Sequence, residues 1–321
     1  MNFLTPPPEV ALVGLRAMKM IAARGPHGFA APAHNLLLAA QRHVLKVDVD
    51  LEALEPIAAA ELARGFPRGP LRPQFVQAML MVSLVDGEPT QVQMDLVREF
   101  AAALGVDQPE LGIIRRLADH HLLMFRLDFM RRSHLADAMK DQFRHHGGIT
   151  GVVRSVLGLR GFIEDPDIAA RYQALGKLPE GTLGQAFYTH HRTNGFSLPG
   201  EKGGLPEAGA YHDFAHVLGG YGPTPEGETL VGGFTAGFKK GNPLFVALFT
   251  FLTFGAGVNM TPNPQPHIEG IFAKPGLADR FFRANARGQA MNADLSDNWD
   301  FWSLVDLPID EVRRRLNLLP E

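Results

Sequence analysis

The chain has 321 residues, a net charge of −3 and no cysteine. This length is enough for one large domain or two domains of ordinary size. The absence of cysteine excludes disulfides and every thiolate-based zinc site or nucleophile. Lysine and arginine are not clustered, so a nucleic-acid partner is not expected. The N-terminal residues lack the basic start and apolar core of a secretory signal, which predicts a cytoplasmic protein.

The first half of the chain reads as a series of helices without a convincing strand. Thr90 is the predicted N-cap of one helix, and Gly105 is the residue predicted to end it. A further helix is expected to begin near Pro109. A glycine pair at 147–148 and a Gly- and Pro-containing segment after it mark a boundary, so the first predicted domain is 1–150. Apolar residues recur at helical spacing in the segments 10–22, 34–46, 50–64, 73–84, 91–105 and 119–145.

The second half is also predicted to be helical, and its loops are rich in proline and glycine. The expected helices are 166–175, 180–194, 205–218, 225–240, 243–257, 275–290 and 308–318. No segment shows the alternation that is typical of a half-buried strand. The sequence therefore predicts an all-α protein with two helical domains, the second covering 151–321.

A His-Asp-x-x-His motif followed by a glutamate is the strongest sign of chemistry. In a helix over 205–218, His212 and His216 lie one turn apart on the same face, and Asp213 lies about 100° round the axis from His212. Glu228 follows across the turn GGYGPTPEGE. Two imidazoles and two carboxylates predict a divalent metal site, for zinc first and for iron, manganese or cobalt as alternatives.

The same motif leaves hydrolysis open as an alternative. It is similar to the His-Glu-x-x-His motif of zinc peptidases, in which Asp213 would act as the base rather than as a ligand. It also contains the His-Asp pair of HD-type phosphohydrolases, which need an upstream histidine and a downstream aspartate. His190 or His191 and Asp279 are loosely placed for those roles. If the protein is not a phosphohydrolase, His190 and His191 either orient the metal ligands or face solvent.

The segment 242–260, NPLFVALFTFLTFGAGVNM, carries no charge and has four phenylalanines between Phe245 and Phe254. It is near the lower length limit of a membrane span, and proline and glycine bracket it. The whole chain has 22 Phe but only 4 Tyr and 2 Trp, which favours an interior without polar aromatic groups. A buried helix or the wall of an apolar tunnel is the prediction.

Three blocks between about 165 and 318 resemble the coenzyme Q (ubiquinone) biosynthesis protein 4 family. They are LPEGTLGQAFYTHHRTNGF at 178–196, HDFAH with Glu228, and DLSDNWDFWSLVDLPIDEVRRRLNL at 294–318. The resemblance implies an α-helical domain that contacts membranes peripherally. It also implies that His212, Asp213, His216 and Glu228 are the metal ligands. The residues that it implies for the lining of a prenyl-chain tunnel are Phe245, Phe249 and Leu252.

The function implied by this resemblance is that of a metal-dependent lyase. Such an enzyme would remove the ring carboxyl of a prenylated or lipophilic benzenoid, with or without hydroxylation, as in ubiquinone biosynthesis. Zinc suits decarboxylation, whereas hydroxylation would need a redox-active metal and dioxygen. The alternative is a non-catalytic lipid-binding scaffold with a structural metal. The implied partners are an isoprenoid or quinone-like lipid and other quinone-biosynthesis proteins.

Residues of about 55–145 are similar to tellurite-resistance TerB-like helical domains. The stretch FVQAMLMVSLVDGEPTQVQMDLVREFAAALGV carries this resemblance, with Asp86, Gly87 and Glu88 in a loop between helices. Gln91 or Gln93 stands where that family has a glutamate, so a metal ion is not implied for this loop. The resemblance implies a helical N-terminal domain.

Overall fold

A computed structural model describes residues 4–107, 112, 114, 164–241, 243–259, 267–297 and 299–321. Over these ranges the chain is mostly helical, with twelve α-helices and no strand, which confirms the all-α class. The predicted helices near Pro109 and at 119–145 lie outside the described residues, as does the division at 150. The helices are α1 (Pro8–Ala22), α2 (Ala31–Ala40), α3 (Ala59–Gly65), α4 (Leu71–Ser83), α5 (Gln91–Leu104), α6 (Pro166–Ala174), α7 (Leu183–Thr193), α8 (Ala210–Gly219), α9 (Pro225–Phe238), α10 (Pro243–Thr250), α11 (Leu277–Ala290) and α12 (Ile309–Arg315).

The chain divides into two compact units, and each contains two separated stretches. The first unit is Met1–Phe129 with Asn242–Arg283, and the second unit is Met130–Gly241 with Ala284–Glu321. The Phe-rich segment therefore clusters with the N-terminal helices, although the predicted domain 151–321 included it with the metal motif. Contacts between the two stretches join them, such as the hydrogen bond of 2.9 Å from the side-chain amide of Asn35 in α2 to the carbonyl oxygen of Phe272.

The start and end of α5 follow the predicted signals. The Thr90 hydroxyl accepts from the backbone N–H of Gln93, and the Gln93 side chain accepts from the Thr90 N–H, which forms a capping box. The Gln93 amide nitrogen also donates to the carbonyl oxygen of Ile21 in α1. Gly105 follows α5 in the left-handed conformation, with φ of 66°. Gln93 is therefore buried and holds two helices together.

The predicted helix over 50–64 is wrong for its first nine residues, because α3 begins only at Ala59. Pro56 has no N–H to donate and disfavours helical backbone in the residue before it. Arg16 and Lys19 of α1 then use the carbonyls of this segment as acceptors, which a helix would have occupied. The four carbonyl oxygens belong to Glu52, Leu54, Glu55 and Pro56.

Two of the predicted helices continue beyond their α-helical part as single π-helical turns. The turn Gln41–Leu45 follows α2, and the turn Phe251–Gly255 follows α10. A π-turn accommodates one extra residue per turn and is rare in proteins. Both turns lie in the first unit.

The second unit is organised around α7 and α8. The rings of Phe187 and Phe214 stack between these helices with centroids 4.2 Å apart. The N–H groups of Leu183 and Gly184, which open α7 and have no partner within the helix, donate to carbonyls of the C-terminal segment 305–307. This packing fixes the helix that carries the histidine motif.

None of the helices in the described part of the chain combines the length and apolar character that a bilayer crossing requires. The Phe-rich segment forms only an eight-residue α-helix, Pro243–Thr250, followed by its π-turn. It is thus a buried helix of the first unit, as one of the two sequence-based interpretations predicted.

Asp86 of the first unit is a buried carboxylate without compensation. Its residue is 1% exposed, and neither carboxylate oxygen has a hydrogen-bond partner among the described residues. Burial raises the pKa of Asp86 from 3.8 to about 6, the nearby His27 lowers it, and Glu269 raises it further. The folded state therefore favours the neutral acid.

We predict that the pH dependence of stability includes a contribution from Asp86. Because the folded pKa lies above the unfolded one, stability falls as pH rises from about 4 through 6, by about 3 kcal/mol. Asp86→Asn should remove this loss and raise the free energy of unfolding at pH 8 while changing it little at pH 4. Urea unfolding at both pH values measures the difference. Asp48→Asn, in an exposed loop, is the control, and an equal effect of Asp86→Asn at the two pH values would contradict the prediction.

Candidate metal centre

The two histidines of the motif lie on α8, and the end of this helix orients one of them. Gly220 adopts the left-handed conformation, with φ of 78°, and turns the chain back at the C-terminus of α8. This turn places the carbonyl oxygen of Tyr221 2.9 Å from Nδ1 of His216. A carbonyl can only accept, so Nδ1 carries the proton and Nε2 of neutral His216 keeps its lone pair for a metal ion.

Glu228 is supplied by the first turns of α9. Thr224 caps this helix by accepting from the N–H of Gly227, and Pro225 occupies the first helical position. The loop folds back so closely that a Cβ on Gly227 would lie 1.7 Å from the carbonyl oxygen of Gly222. Only glycine allows this approach, and it brings the α9 carboxylate to the histidines of α8.

His212, His216 and Glu228 present their donor atoms to one another at nearly equal distances. Nε2 of His212 and Nε2 of His216 are 3.2 Å apart, and the two nitrogens are 3.3 and 3.2 Å from oxygens of Glu228. In a tetrahedral zinc site with ligands about 2.0–2.1 Å from the ion, donor atoms are about 3.3–3.4 Å apart. The three side chains therefore fit one small divalent ion.

The charges of the group suit a cation. Burial alone would raise the pKa of Glu228, but the hydrogen bonds and charges of His212 and His216 hold it well below its usual range. Burial lowers the pKa of His212, but Glu228 reverses this effect and leaves it raised overall. A proton and a metal ion therefore compete for these donors, and acid should release the metal.

One side of the donor group faces solvent. The side chain of His216 is 1% exposed, whereas those of His212 and Glu228 are 38% and 30% exposed. An ion held by these donors would be anchored at its buried side by His216. Its opposite side would be accessible to a small molecule.

Asp213, the fourth predicted ligand, is not part of the donor group. Its Oδ2 lies 3.2 Å from Nε2 of His191, and both side chains are buried. Nδ1 of His191 lies 3.1 Å from the carbonyl oxygen of Phe187. Burial would raise the pKa of Asp213, but the His191 hydrogen bond and the neighbouring histidines hold it low. The Asp213 carboxylate therefore faces His191, and the two side chains form a buried hydrogen-bonded pair.

Neither His190 nor His191 is an exposed side chain, so the interpretation in which both simply face solvent is wrong. His191 is buried in the pair with Asp213, and His190 is half-buried, with its ring stacked on that of His216 at 5.5 Å between centroids. Nε2 of His190 has no hydrogen-bond partner among the described residues. Burial and the charge of His216 lower the pKa of His190, so its neutral ring lies beside the donor group.

Arg287 and Tyr221 support the site, and no pattern in the sequence indicates either of them. Arg287 is buried and donates to the carbonyl oxygen of Gly219, at the end of α8, and to the hydroxyl of Tyr221. Its guanidinium also lies over the Tyr221 ring, 5.4 Å from the centroid. Arg287 thus holds the residue whose carbonyl orients His216. No spacing in the sequence links position 287 to the motif.

The residues predicted to line a prenyl tunnel are buried or half-buried elements of the first unit. Phe245 and Leu252 are buried, and Phe249 is half-buried. They belong to a different unit from the donor group. Asp279, the loosely placed aspartate of the phosphohydrolase alternative, pairs with Arg42 and His43 in that same unit. The prenyl tunnel stays a prediction.

We predict that Glu228→Gln weakens metal binding strongly, because the substitution removes the only carboxylate of the donor group. The loss should exceed the roughly 10–100-fold that changes around the ligands cause. Competition with a chromophoric chelator measures the affinity, and elemental analysis measures the bound metal. Glu226→Gln, two residues earlier on α9 and outside the donor group, is the matched control. Unchanged metal content in Glu228→Gln would exclude this residue as a ligand.

The substitution Asp213→Asn distinguishes between two roles of Asp213, that of a metal ligand and that of the partner of His191. If Asp213 is the partner, the substitution breaks a buried hydrogen-bonded pair, so the metal-free protein should lose about 1–3 kcal/mol of unfolding free energy. Its metal affinity should fall by roughly 10–100-fold. Urea unfolding and chelator competition measure the two effects. A loss of affinity as large as that of Glu228→Gln, with stability unchanged, would instead identify Asp213 as a ligand.

A comparison with models of protein families finds none that matches this chain, and a comparison with curated proteins finds no match either. The two resemblances drawn from the sequence therefore stay predictions. The geometry of the donor group is the observation from which a function can be inferred.

Proposed function

We propose that the protein is a metal-dependent enzyme whose second unit acts on the acid group of a lipophilic ring compound. The observation that carries the proposal is the set of three donors at tetrahedral spacing with a solvent-facing side. Catalytic zinc sites have three protein ligands and an open position, whereas structural zinc sites have four. His212, His216 and Glu228 match the first pattern.

A bound zinc ion would supply a Lewis acid for a carboxylate or carbonyl oxygen of the substrate. His216 contributes a lone pair that its hydrogen bond to Tyr221 keeps in place. His212 and Glu228 border the side from which a substrate oxygen would approach, because these are the exposed members of the group. The neutral ring of His190 lies against His216 and offers an unpaired nitrogen.

The substrate class is supported by the resemblance of the second half to the coenzyme Q biosynthesis protein 4 family. It implies a prenylated or otherwise lipophilic hydroxybenzoate-like acid that loses its ring carboxyl as carbon dioxide. The ring carbon keeps the bonding electron pair and takes up a proton. Simple decarboxylation fits zinc, whereas accompanying hydroxylation would need dioxygen and a redox-active metal. Peripheral membrane contact and quinone-biosynthesis partners belong to the same proposal.

The competing function is a lipid-binding scaffold with a structural metal. It requires a fourth protein ligand to close the coordination shell. Asp213 is the fourth ligand that the resemblance implies, but its pairing with His191 opposes that role. The number of protein ligands therefore separates the two functions.

We predict release of labelled carbon dioxide from a lipophilic 4-hydroxybenzoate carrying ¹³C in its carboxyl group. The zinc-loaded protein should release it, and the metal-free protein and Glu228→Gln should not. Isotope-ratio mass spectrometry of the headspace measures the product, and Glu226→Gln should match the unsubstituted protein. If protein loaded in turn with zinc, iron, manganese and cobalt releases none, the scaffold function is favoured.

A test of coordination does not require turnover. Cobalt-substituted protein should change its visible spectrum when benzoate is added, because an open position allows a carboxylate to bind. A spectrum that does not respond to benzoate at any concentration would indicate a closed, structural ion. This outcome would contradict a catalytic role of the metal, even if His212, His216 and Glu228 are its ligands.

A further inference from the structure

The first unit contains an apolar cavity of about 80 Å³ that the proposed metal chemistry does not use. Helices α1, α2, α4 and α11 and both π-turns contribute side chains to its wall. Among the described residues of that wall, Gln74 of α4 is the one with a polar side chain. Its amide oxygen accepts from the N–H of Leu4, and its amide nitrogen donates to the carbonyl of Leu4. The amide is thus engaged with the N-terminal segment, and a ligand would meet a hydrocarbon surface.

Both π-turns of the described chain face this cavity. Val44 and Leu45 come from the turn that ends α2, and Phe251 comes from the turn that ends α10. π-turns widen a helix locally and are frequent at functional sites. The two turns contribute to one cavity wall, although Leu45 and Phe251 are 206 positions apart in the sequence. Their coincidence points to a binding site rather than to a packing defect.

The cavity reaches the surface of the first unit. Several of its lining residues are half-buried and not fully enclosed, among them Ala40, Leu45, Leu71, Ala78 and Phe282. Others, such as Leu37 and Val82, are fully buried. A molecule could therefore place one end in the cavity while the rest stays in solvent.

The volume and the lining together select the class of ligand. A cavity of about 150 Å³ lined by aliphatic and aromatic groups accepts benzene, and 80 Å³ is about half of that. An aromatic ring is too large, whereas the last few methylenes of a chain fit. A polar group buried there would lose its hydrogen bonds with water and gain none. Methyl branches, which isoprenoids carry at regular intervals, add volume along the chain, so less of a branched chain than of an unbranched one would fit in 80 Å³.

We propose that this cavity binds the end of an unbranched alkyl chain, such as that of a fatty acid. The site is independent of the metal centre, because it lies in the first unit and shares no residue with the donor group. It also differs from the predicted prenyl tunnel, since its described lining includes Phe251 but not Phe245, Phe249 or Leu252.

The test compares two ten-carbon acids with the same headgroup by isothermal titration calorimetry. Decanoate is unbranched, and geranate carries two methyl branches. Decanoate should bind at least tenfold more tightly than geranate, with a negative heat-capacity change from the burial of apolar surface. Equal affinities, or no binding of decanoate, would overturn the proposal.

Substitutions then locate the site. Ala78→Phe should fill the cavity and weaken decanoate binding at least tenfold, whereas Ala102→Phe, on the exposed face of α5, should not. Ala40→Leu also fills part of the cavity, from α2. It replaces Ala78→Phe as the test variant if circular dichroism shows that Ala78→Phe does not fold. Decanoate binding unaffected in the folded cavity variant would overturn the proposed location. Glu228→Gln should bind decanoate like the unsubstituted protein, so failure of the metal function leaves this test intact.

Discussion

The hydrogen bond from Nδ1 of His216 to the carbonyl oxygen of Tyr221 is the interaction on which the donor group depends. It sets which nitrogen of His216 keeps a lone pair, and it ties that ring to the turn between α8 and α9. Gly220 and Gly227 let the turn close tightly enough to bring Glu228 opposite the two histidines. The position of all three donors thus follows from the conformation of a short stretch of backbone.

This backbone is itself held by a buried cation. Arg287 donates to the carbonyl of Gly219 and to the hydroxyl of Tyr221, so it binds both ends of the bend after α8. The carbonyl at the C-terminus of a helix carries partial negative charge, which stabilises a cation there. The second stretch of the second unit, Ala284–Glu321, therefore contributes to the site without providing a member of the donor group.

Local signals allowed much of the fold to be predicted, and long-range contacts explain the rest. The capping box at Thr90, the end of α5 at Gly105 and the spacing of His212 and His216 all depend on residues within one or two turns. The predicted helix over 50–58 failed because Arg16 and Lys19, more than 30 positions away, take its carbonyls. His191 was one of two histidines that the sequence offered for orienting the ligands, but its pairing with Asp213 could not be assigned, since the two lie 22 positions apart on α7 and α8.

That long-range partner also explains why the group has three donors and not four. Asp213 and His191 form a hydrogen-bonded pair with almost no access to water. Moving the carboxylate to a metal ion would leave Nε2 of the buried His191 without its partner, since Nδ1 already contacts the carbonyl of Phe187. Leaving a buried polar group unpaired in this way costs roughly 1–3 kcal/mol. A water molecule or a substrate oxygen can occupy the fourth position without this penalty. The pairing between α7 and α8 would therefore leave one coordination position of a bound ion open, and an open position is the condition for a metal ion to act on a substrate.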